Sequence, residues 1–130
     1  MTLIIDRQGV PVRLTAIERT VVDVLHRSEI AGGTEEVLQS LELVRYLDPE
    51  KIADYVELLD NRSLASVSGW WLEKRQSALG VTNDVLARLR ARLPRSKHYA
   101  LGAKPGRALL VEPWRILLPP QALDAAFEGI

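Results

Sequence analysis

The chain has 130 residues, with 17 Lys and Arg against 17 Asp and Glu, so its formal net charge is zero. A hydrophobic share of 47% and a charged share of 26% are typical of a globular protein and argue against disordered or fibrous structure. The absence of cysteine excludes disulfide frameworks, thiol catalysis and cysteine-ligated zinc. No apolar stretch approaches the ~18 residues of a membrane span. No signal peptide is recognisable either, so we expect a cytoplasmic protein.

Two short β-prone segments begin the chain. Residues 2–5 and 10–14 are rich in aliphatic side chains, and the turn-forming sequence at 6–9 separates them. Pro11 has no backbone N–H to donate, so we expect the second strand to lie at the edge of a sheet or Pro11 to be among its first residues. We therefore predict two short strands before the first helix.

Five helices are predicted from capping residues and from apolar side chains at helical spacing. The residues that start four of them are Thr15, Thr34, Asp48 with Pro49, and Thr82. The remaining helix spans about 62–79, with Gly80 as its left-handed C-terminal residue. We expect the first helix to end near Ser28 and the last to stop at Pro94.

The last part of the chain returns to β-prone sequence. Residues 97–101 and 107–118 are joined by a glycine-containing segment, and they predict a hairpin or a small sheet with the N-terminal strands. Residues 121–127 are expected to form a final helical turn. The sequence thus predicts one α+β domain over residues 1–130. It is mainly α, with about five helices and short β-strands at both ends.

The zero net charge conceals two zones of opposite charge. Residues 29–61 carry nine acidic side chains against Arg45 and Lys51, a balance of −7. Residues 83–115 carry eight basic side chains against Asp84 and Glu112, a balance of +6. Such asymmetry predicts either a surface for a charged partner or two zones that pair with each other inside the fold.

The densest basic run provides the best candidate surface. If the apolar face of the fifth helix is buried, Arg88 and Arg92 fall on one flank and Arg90 on the other, while Arg95 and Lys97 follow the helix. These side chains could contact phosphates or an acidic protein surface. Aromatic residues are not interleaved with them, which makes the run a weak nucleic-acid signature. The alternative is a solvated flank that forms salt bridges with the acidic zone.

Adjacent tryptophans in the fourth helix give a further candidate contact. Trp70 and Trp71 point about 100° apart on a helix. We expect one of them in the core and the other at an interface, where tryptophan is enriched, and we assign the interface to Trp70. The alternative places both in the core. Trp114 is expected in the core, within the last strand.

No residue pattern predicts catalysis. His26 and His98 lack further metal-type residues at ligand spacing. Gly32 and Gly33 precede a helix, but no P-loop signature accompanies them, and the glutamates that follow repel anions. The serines lack a nucleophile elbow. We therefore expect no enzyme, no bound metal and no cofactor.

Several segments taken together resemble one protein family. The stretch from Thr15 to Leu25, followed by Ala31 to Glu36, resembles the "T-x-x-E-R-T-L-x-D-x-L … A-G-G-x-E-E" pattern of AbiEi-type antitoxins. Further similar segments are Asp60-Asn61-Arg62 with Leu64-Ala65, residues 89–96, and Trp114-Arg115-Ile116. In order and spacing they resemble the C-terminal antitoxin domain of that family, from about residue 10 to residue 118.

The resemblance implies the antitoxin half of a bacterial toxin–antitoxin pair that acts in abortive infection against phage. Its toxin would be nucleotidyltransferase-like. Family members also carry an N-terminal winged helix-turn-helix that represses their own operon. Only about fourteen residues precede the Thr15 helix, so we expect that part to be absent. Two hypotheses follow: an antitoxin domain that contacts a toxin, as a monomer or a homodimer, or a DNA-binding regulator that acts on its own operon through the basic surface.

Overall fold

A computed structural model describes residues 2–7, 10–26, 34–101, 103–120 and 122. The elements in chain order are β1 (Thr2–Arg7), β2 (Val10–Thr15), α1 (Ala16–His26), α2 (Thr34–Glu42), α3 (Pro49–Leu59), α4 (Arg62–Lys74), α5 (Gln76–Leu79), α6 (Asn83–Arg90), β3 (His98–Tyr99), β4 (Leu109–Val111) and β5 (Ile116–Leu118). The predicted mainly helical α+β class is confirmed. Among the described residues, no helix is both long enough and apolar enough to cross a membrane.

Two helix starts confirm predicted capping residues. The Asp48 carboxylate accepts the Glu50 N–H at 3.0 Å, with Pro49 as the first residue of α3. The Thr82 hydroxyl accepts the Val85 N–H at 3.3 Å at the start of α6. Gly80 has the predicted left-handed conformation, with φ of 66°. The predicted end of α1 near Ser28 and the helical turn over 121–127 lie largely outside the described residues.

The predicted helix over 62–79 is wrong in one respect, because the structure divides it into α4 and α5. Arg75 lies between them with φ of −105° and ψ of 20°. Its guanidinium donates to the carbonyl oxygens of Leu41 at 3.0 Å and Val44 at 2.6 Å. These two carbonyls lie at and just beyond the end of α2, where the helix leaves acceptors without internal partners. The break in the helix therefore accompanies a long-range capping contact.

The strands form two separate sheets. β1 and β2 pair antiparallel, with Thr2 opposite Thr15. The second sheet has the strand order β3-β5-β4, in which β3 is parallel and β4 antiparallel to β5. The prediction that the C-terminal segment joins the N-terminal strands is therefore wrong. The hairpin forms within 107–118 instead, around a turn at 112–115.

The core is centred on α4, and it determines where that turn lies. Every residue from Leu64 to Leu72 is buried, so α4 is a central helix with neighbours on all sides. Trp114, in the turn between β4 and β5, is fully buried against Gly69. A Cβ at position 69 would overlap the indole ring, so only glycine admits this approach. The contact holds the β3-β5-β4 sheet on α4.

Candidate protein-interaction surface

The basic run begins on α6, which packs between α3 and α4. Val85, Leu86 and Leu89 are buried, and this fixes the helix phase so that Arg88 faces α3. The Arg88 Nη2 atom lies 2.6 Å from Asp54 Oδ1 and 2.5 Å from Glu57 Oε1. Its Nε–H also donates to Glu57 Oε2 at 3.4 Å. One arginine thus bridges two carboxylates of the acidic zone.

Arg92 continues this contact one helical turn later. Its Nε atom lies 3.7 Å from Glu57 Oε2, and its Nη1 atom lies 3.3 Å from Asp60 Oδ1. Arg88, Arg92, Asp54, Glu57 and Asp60 form what we call the α3–α6 ion-pair cluster. Glu57 is its most buried carboxylate, with a side chain that is 10% exposed. For Arg88 and Arg92, the alternative that the two charged zones pair inside the fold is confirmed.

Electrostatics within the cluster favour the charged form of Arg88. The hydrogen bonds that Arg88 donates to Glu57 raise the pKa of this guanidinium, and the bond it donates to Asp54 acts in the same direction. Desolvation by burial opposes them but is the smaller effect. Arg88 is therefore committed to an internal contact, and binding a partner through it would require breaking that contact.

The other three residues of the basic run lie elsewhere. Arg90 is exposed, and its guanidinium carbon lies 6.0 Å from the centroid of the Trp114 ring. Arg95 and Lys97 are exposed beyond the end of α6. The run that looked continuous in the sequence is thus divided between an internal cluster and a solvent-facing part.

The prediction that Trp70 belongs to a contact surface is wrong. Trp70 is only 2% exposed, because α4 is surrounded by other elements and has no solvent-facing side at this position. Trp71 is buried as well, so the alternative with both tryptophans in the core is confirmed. Trp114 is buried as predicted, although it lies in a turn and not in a strand. Its indole Nε1–H donates to Glu73 Oε1 at 3.2 Å.

An exposed apolar stripe crosses the outer face of the β3-β5-β4 sheet. Tyr99 pairs with Leu117, and Leu117 pairs with Leu110, so the three side chains share one face. Tyr99 is 48% exposed and Leu110 is 41% exposed. The opposite row, around the fully buried Ile116, faces the core. The sequence of β5 allows its side chains to alternate between the two faces of the sheet, but the strand order that brings Tyr99 and Leu110 beside Leu117 could not be predicted from the sequence.

Basic side chains predominate in the chain segments that precede and connect the strands of this stripe. Between residues 95 and 115 the exposed charged residues are Arg95, Lys97, Lys104, Arg107 and Arg115 on the basic side, and Glu112 on the acidic side. The Arg115 guanidinium donates to the Pro94 carbonyl at 2.9 Å, which ties the turn to the end of the basic run. We call the stripe and these six charged residues the C-terminal surface. It combines apolar area with a net charge of +4.

The histidines show no arrangement for chemistry. His98 lies in β3, on the inward-facing row of the sheet, where burial lowers the pKa of its imidazole while the Ser63 backbone opposes this shift. His26 is exposed at the end of α1. In the part of the chain that the structure describes, no group of three or more His, Cys, Asp or Glu residues could hold a metal ion.

The chain matches no protein family, no curated protein and no solved structure.

Proposed function

We propose that the chain is an antitoxin domain that neutralises a nucleotidyltransferase-like toxin of a bacterial toxin–antitoxin system, in abortive infection against phage. The resemblance of its sequence to AbiEi-type antitoxins supports this proposal over residues 10–118. The observation that carries a binding role is the C-terminal surface, which combines the exposed Tyr99 and Leu110 with exposed basic side chains. The proposed toxin partner contacts this surface through an acidic area with an apolar centre.

The apolar stripe favours a protein partner over DNA. Protein interfaces have an apolar core enriched in aromatic residues and arginine, with a polar rim. Interfaces with DNA are more polar and depend chiefly on contacts with phosphates. The C-terminal surface combines the apolar side chains of Tyr99, Leu110 and Leu117 with exposed basic residues from the adjoining segments. This combination of aromatic, aliphatic and arginine side chains fits the first class.

The proposal includes a cytoplasmic location and no catalytic step by this chain. A toxin that acts on nucleotides or RNA works in the cytoplasm, and its antitoxin meets it there. Neutralisation then requires binding alone and no metal or cofactor on the antitoxin.

Co-expression tests the proposal. The product of the adjacent gene is expressed alone, with the wild-type chain, and with the double variant Tyr99→Ser/Leu110→Ser. We expect growth arrest with the neighbour alone, recovery with the wild-type chain, and loss of recovery with the variant. A neighbour that is harmless alone, or that stays toxic beside the wild-type chain, contradicts the proposal.

A matched control separates surface loss from general damage. Leu59, at the end of α3, is comparably exposed but lies outside the C-terminal surface. The variant Leu59→Ser should therefore restore growth as well as the wild-type chain does. Circular dichroism and a thermal unfolding curve on each purified variant check that all of them are folded.

The second candidate is a DNA-binding regulator of its own operon. The exposed positions of Arg90, Arg95 and Lys97 favour it, because these side chains are accessible to phosphates. It predicts binding to the chain's own promoter with a steep salt dependence, and weaker binding by Arg90→Glu/Arg95→Glu. If a gel-shift titration at low salt gives no complex, this candidate is excluded.

A further inference from the structure

A second exposed apolar group lies in the acidic zone of the sequence, in the segment between α2 and α3. Leu43 is 76% exposed and Tyr46 is 88% exposed, which makes them the most exposed large hydrophobic side chains among the described residues. Removing large apolar side chains of this exposure from water is favourable, because it lowers the free energy in proportion to the apolar area covered. Tyrosine in particular is enriched at the centres of protein interfaces.

Two side chains, Arg75 and Glu18, anchor the loop between α2 and α3, one at each end. Arg75 holds it on one side through the Leu41 and Val44 carbonyls, and its guanidinium carbon lies 5.7 Å from the centroid of the Trp71 ring. On the other side, the carboxylate of the buried Glu18 accepts the Asp48 N–H at 3.5 Å. An anchored loop loses little conformational freedom on binding, which favours association.

Acidic side chains predominate in the chain segment that carries the two apolar residues. Glu42, Asp48 and Glu50 are exposed, against Arg45 as the exposed basic side chain between positions 42 and 50. We call Leu43, Tyr46 and these four charged residues the loop surface. It combines apolar area with a net charge of −2, and the C-terminal surface combines apolar area with a net charge of +4. The two surfaces of one chain are therefore complementary in both respects.

We propose that the loop surface of one copy binds the C-terminal surface of a second copy. Tyr46 and Leu43 pack on the stripe of Tyr99 and Leu110, and the acidic side chains meet the basic ones. The formal net charge of zero means that two copies do not repel each other as whole molecules. This inference goes beyond the proposed function, since it concerns the free chain without toxin.

Because the contact joins unlike surfaces, variants of the two sides should complement each other. The loop variant is Leu43→Ser/Tyr46→Ser, and the sheet variant is Tyr99→Ser/Leu110→Ser. Each removes one side of the contact and leaves the other side intact. An equimolar mixture still contains one intact loop surface and one intact C-terminal surface, which can bind each other.

Sedimentation velocity on the purified chain, from about 10 µM to about 1 mM, tests the proposal. We expect concentration-dependent association of the wild type, weakened by at least about tenfold in each variant alone and partly recovered in their mixture. The association should decrease between low salt and about 1 M salt, because exposed charges are screened. A wild type that stays monomeric at low salt overturns the proposal, and so does a mixture no better than its components.

Two controls make the outcome specific. Leu59→Ser removes a comparable exposed apolar side chain elsewhere and should associate like the wild type. The charge variant Lys97→Glu/Arg107→Glu keeps the apolar stripe, so it guards against a misfolded sheet variant, and it should also weaken association. The sedimentation experiment contains no toxin, so its result does not depend on the outcome of the co-expression test. Self-association and the antitoxin function can therefore be disproved independently.

Discussion

Arg88, on α6, and Arg92, in the turn that follows it, lie in a different environment from the basic residues next along the chain. Arg88 and Arg92 face α3 and pair with Asp54, Glu57 and Asp60. Arg95 and Lys97 come only a few residues later and face solvent. In the sequence they form one basic run. In the structure the first pair stabilises a helix–helix contact, and the second pair belongs to a surface.

Helix phase explains the difference. Residues at i and i+4 lie on the same side of a helix, so burying Val85 and Leu89 also directs Arg88 and Arg92 toward a common neighbour. Beyond Arg90 a hydrogen-bonded turn continues the helix, with the Arg92 N–H donating to the Leu89 carbonyl oxygen at 3.0 Å and the Leu93 N–H to the Arg90 carbonyl oxygen at 3.3 Å. This periodic constraint ends before Arg95. Like charges that are adjacent in the sequence therefore form one surface only where the backbone directs them to the same side of the molecule.

The largest expected effect concerns the contact that supports the surface. In Gly69→Ala the new methyl group overlaps the Trp114 ring, so we expect a loss of about 3 kcal/mol in the free energy of unfolding. Denaturant unfolding measures it. Gly106→Ala is the control, because no atom lies within 4 Å of a Cβ there and only its φ of 85° is unfavourable. An equal loss in both variants would contradict the close packing of α4 against Trp114.

The next effect tests the comparison itself. Arg88→Met removes the positive charge that bridges Asp54 and Glu57 between α6 and α3, so we expect a loss of about 2 kcal/mol in stability. Arg95→Met changes a solvent-facing side chain and should stay within about 0.5 kcal/mol of the wild type. Parallel urea titrations compare the two. Similar losses would remove the distinction between the internal and the exposed part of the run.

A pH titration sharpens the role of the sheet's inner face. Burial lowers the pKa of His98 in the folded chain, so the unfolded chain binds the proton more readily. The folded state therefore keeps its full free energy of unfolding above the unfolded pKa of about 6.5 and loses part of it as the pH falls below that value. We expect the unfolding free energy of the wild type to fall more between pH 7 and pH 5 than that of His98→Asn. Parallel profiles would contradict this assignment.

The smallest effect concerns the outer member of the ion-pair cluster. Arg92 contacts Glu57 and Asp60 at longer distances, and the Asp60 side chain is largely exposed. Exposed pairs of this kind contribute little, so we expect Arg92→Met to cost less than about 1 kcal/mol. A loss equal to that of Arg88→Met, measured in the same titration, would show that the cluster acts as one unit.

Local chemistry explains which parts of the fold the sequence could predict. Asp48 and Thr82 cap helices through side chains that reach only two or three residues along the chain, and Gly80 ends one through its own backbone. Such signals are complete within a short segment, so the helix starts at these positions were predictable. The mainly helical class follows from them.

Long-range contacts explain what the sequence could not provide. At the helix break, Arg75 donates hydrogen bonds to carbonyl oxygens more than thirty residues away in the sequence. The parallel pairing of β3 with β5 and the burial of Trp70 also depend on elements distant in the sequence. For the candidate site, the basic residues were predictable, but their division into a cluster and a surface was not. The apolar stripe needs the strand order, which no local pattern contains.

The placement of the tryptophans makes the joint between α4 and the C-terminal sheet visible by spectroscopy. The chain has three tryptophans, and all three are buried, two of them within α4 and the third in the turn that packs against Gly69. The intrinsic indole emission of the whole protein therefore originates at this joint. Separation of the sheet from α4 would expose Trp114 to water and shift the emission to longer wavelength. Detachment of the C-terminal sheet can thus be followed without a label, by intrinsic tryptophan fluorescence.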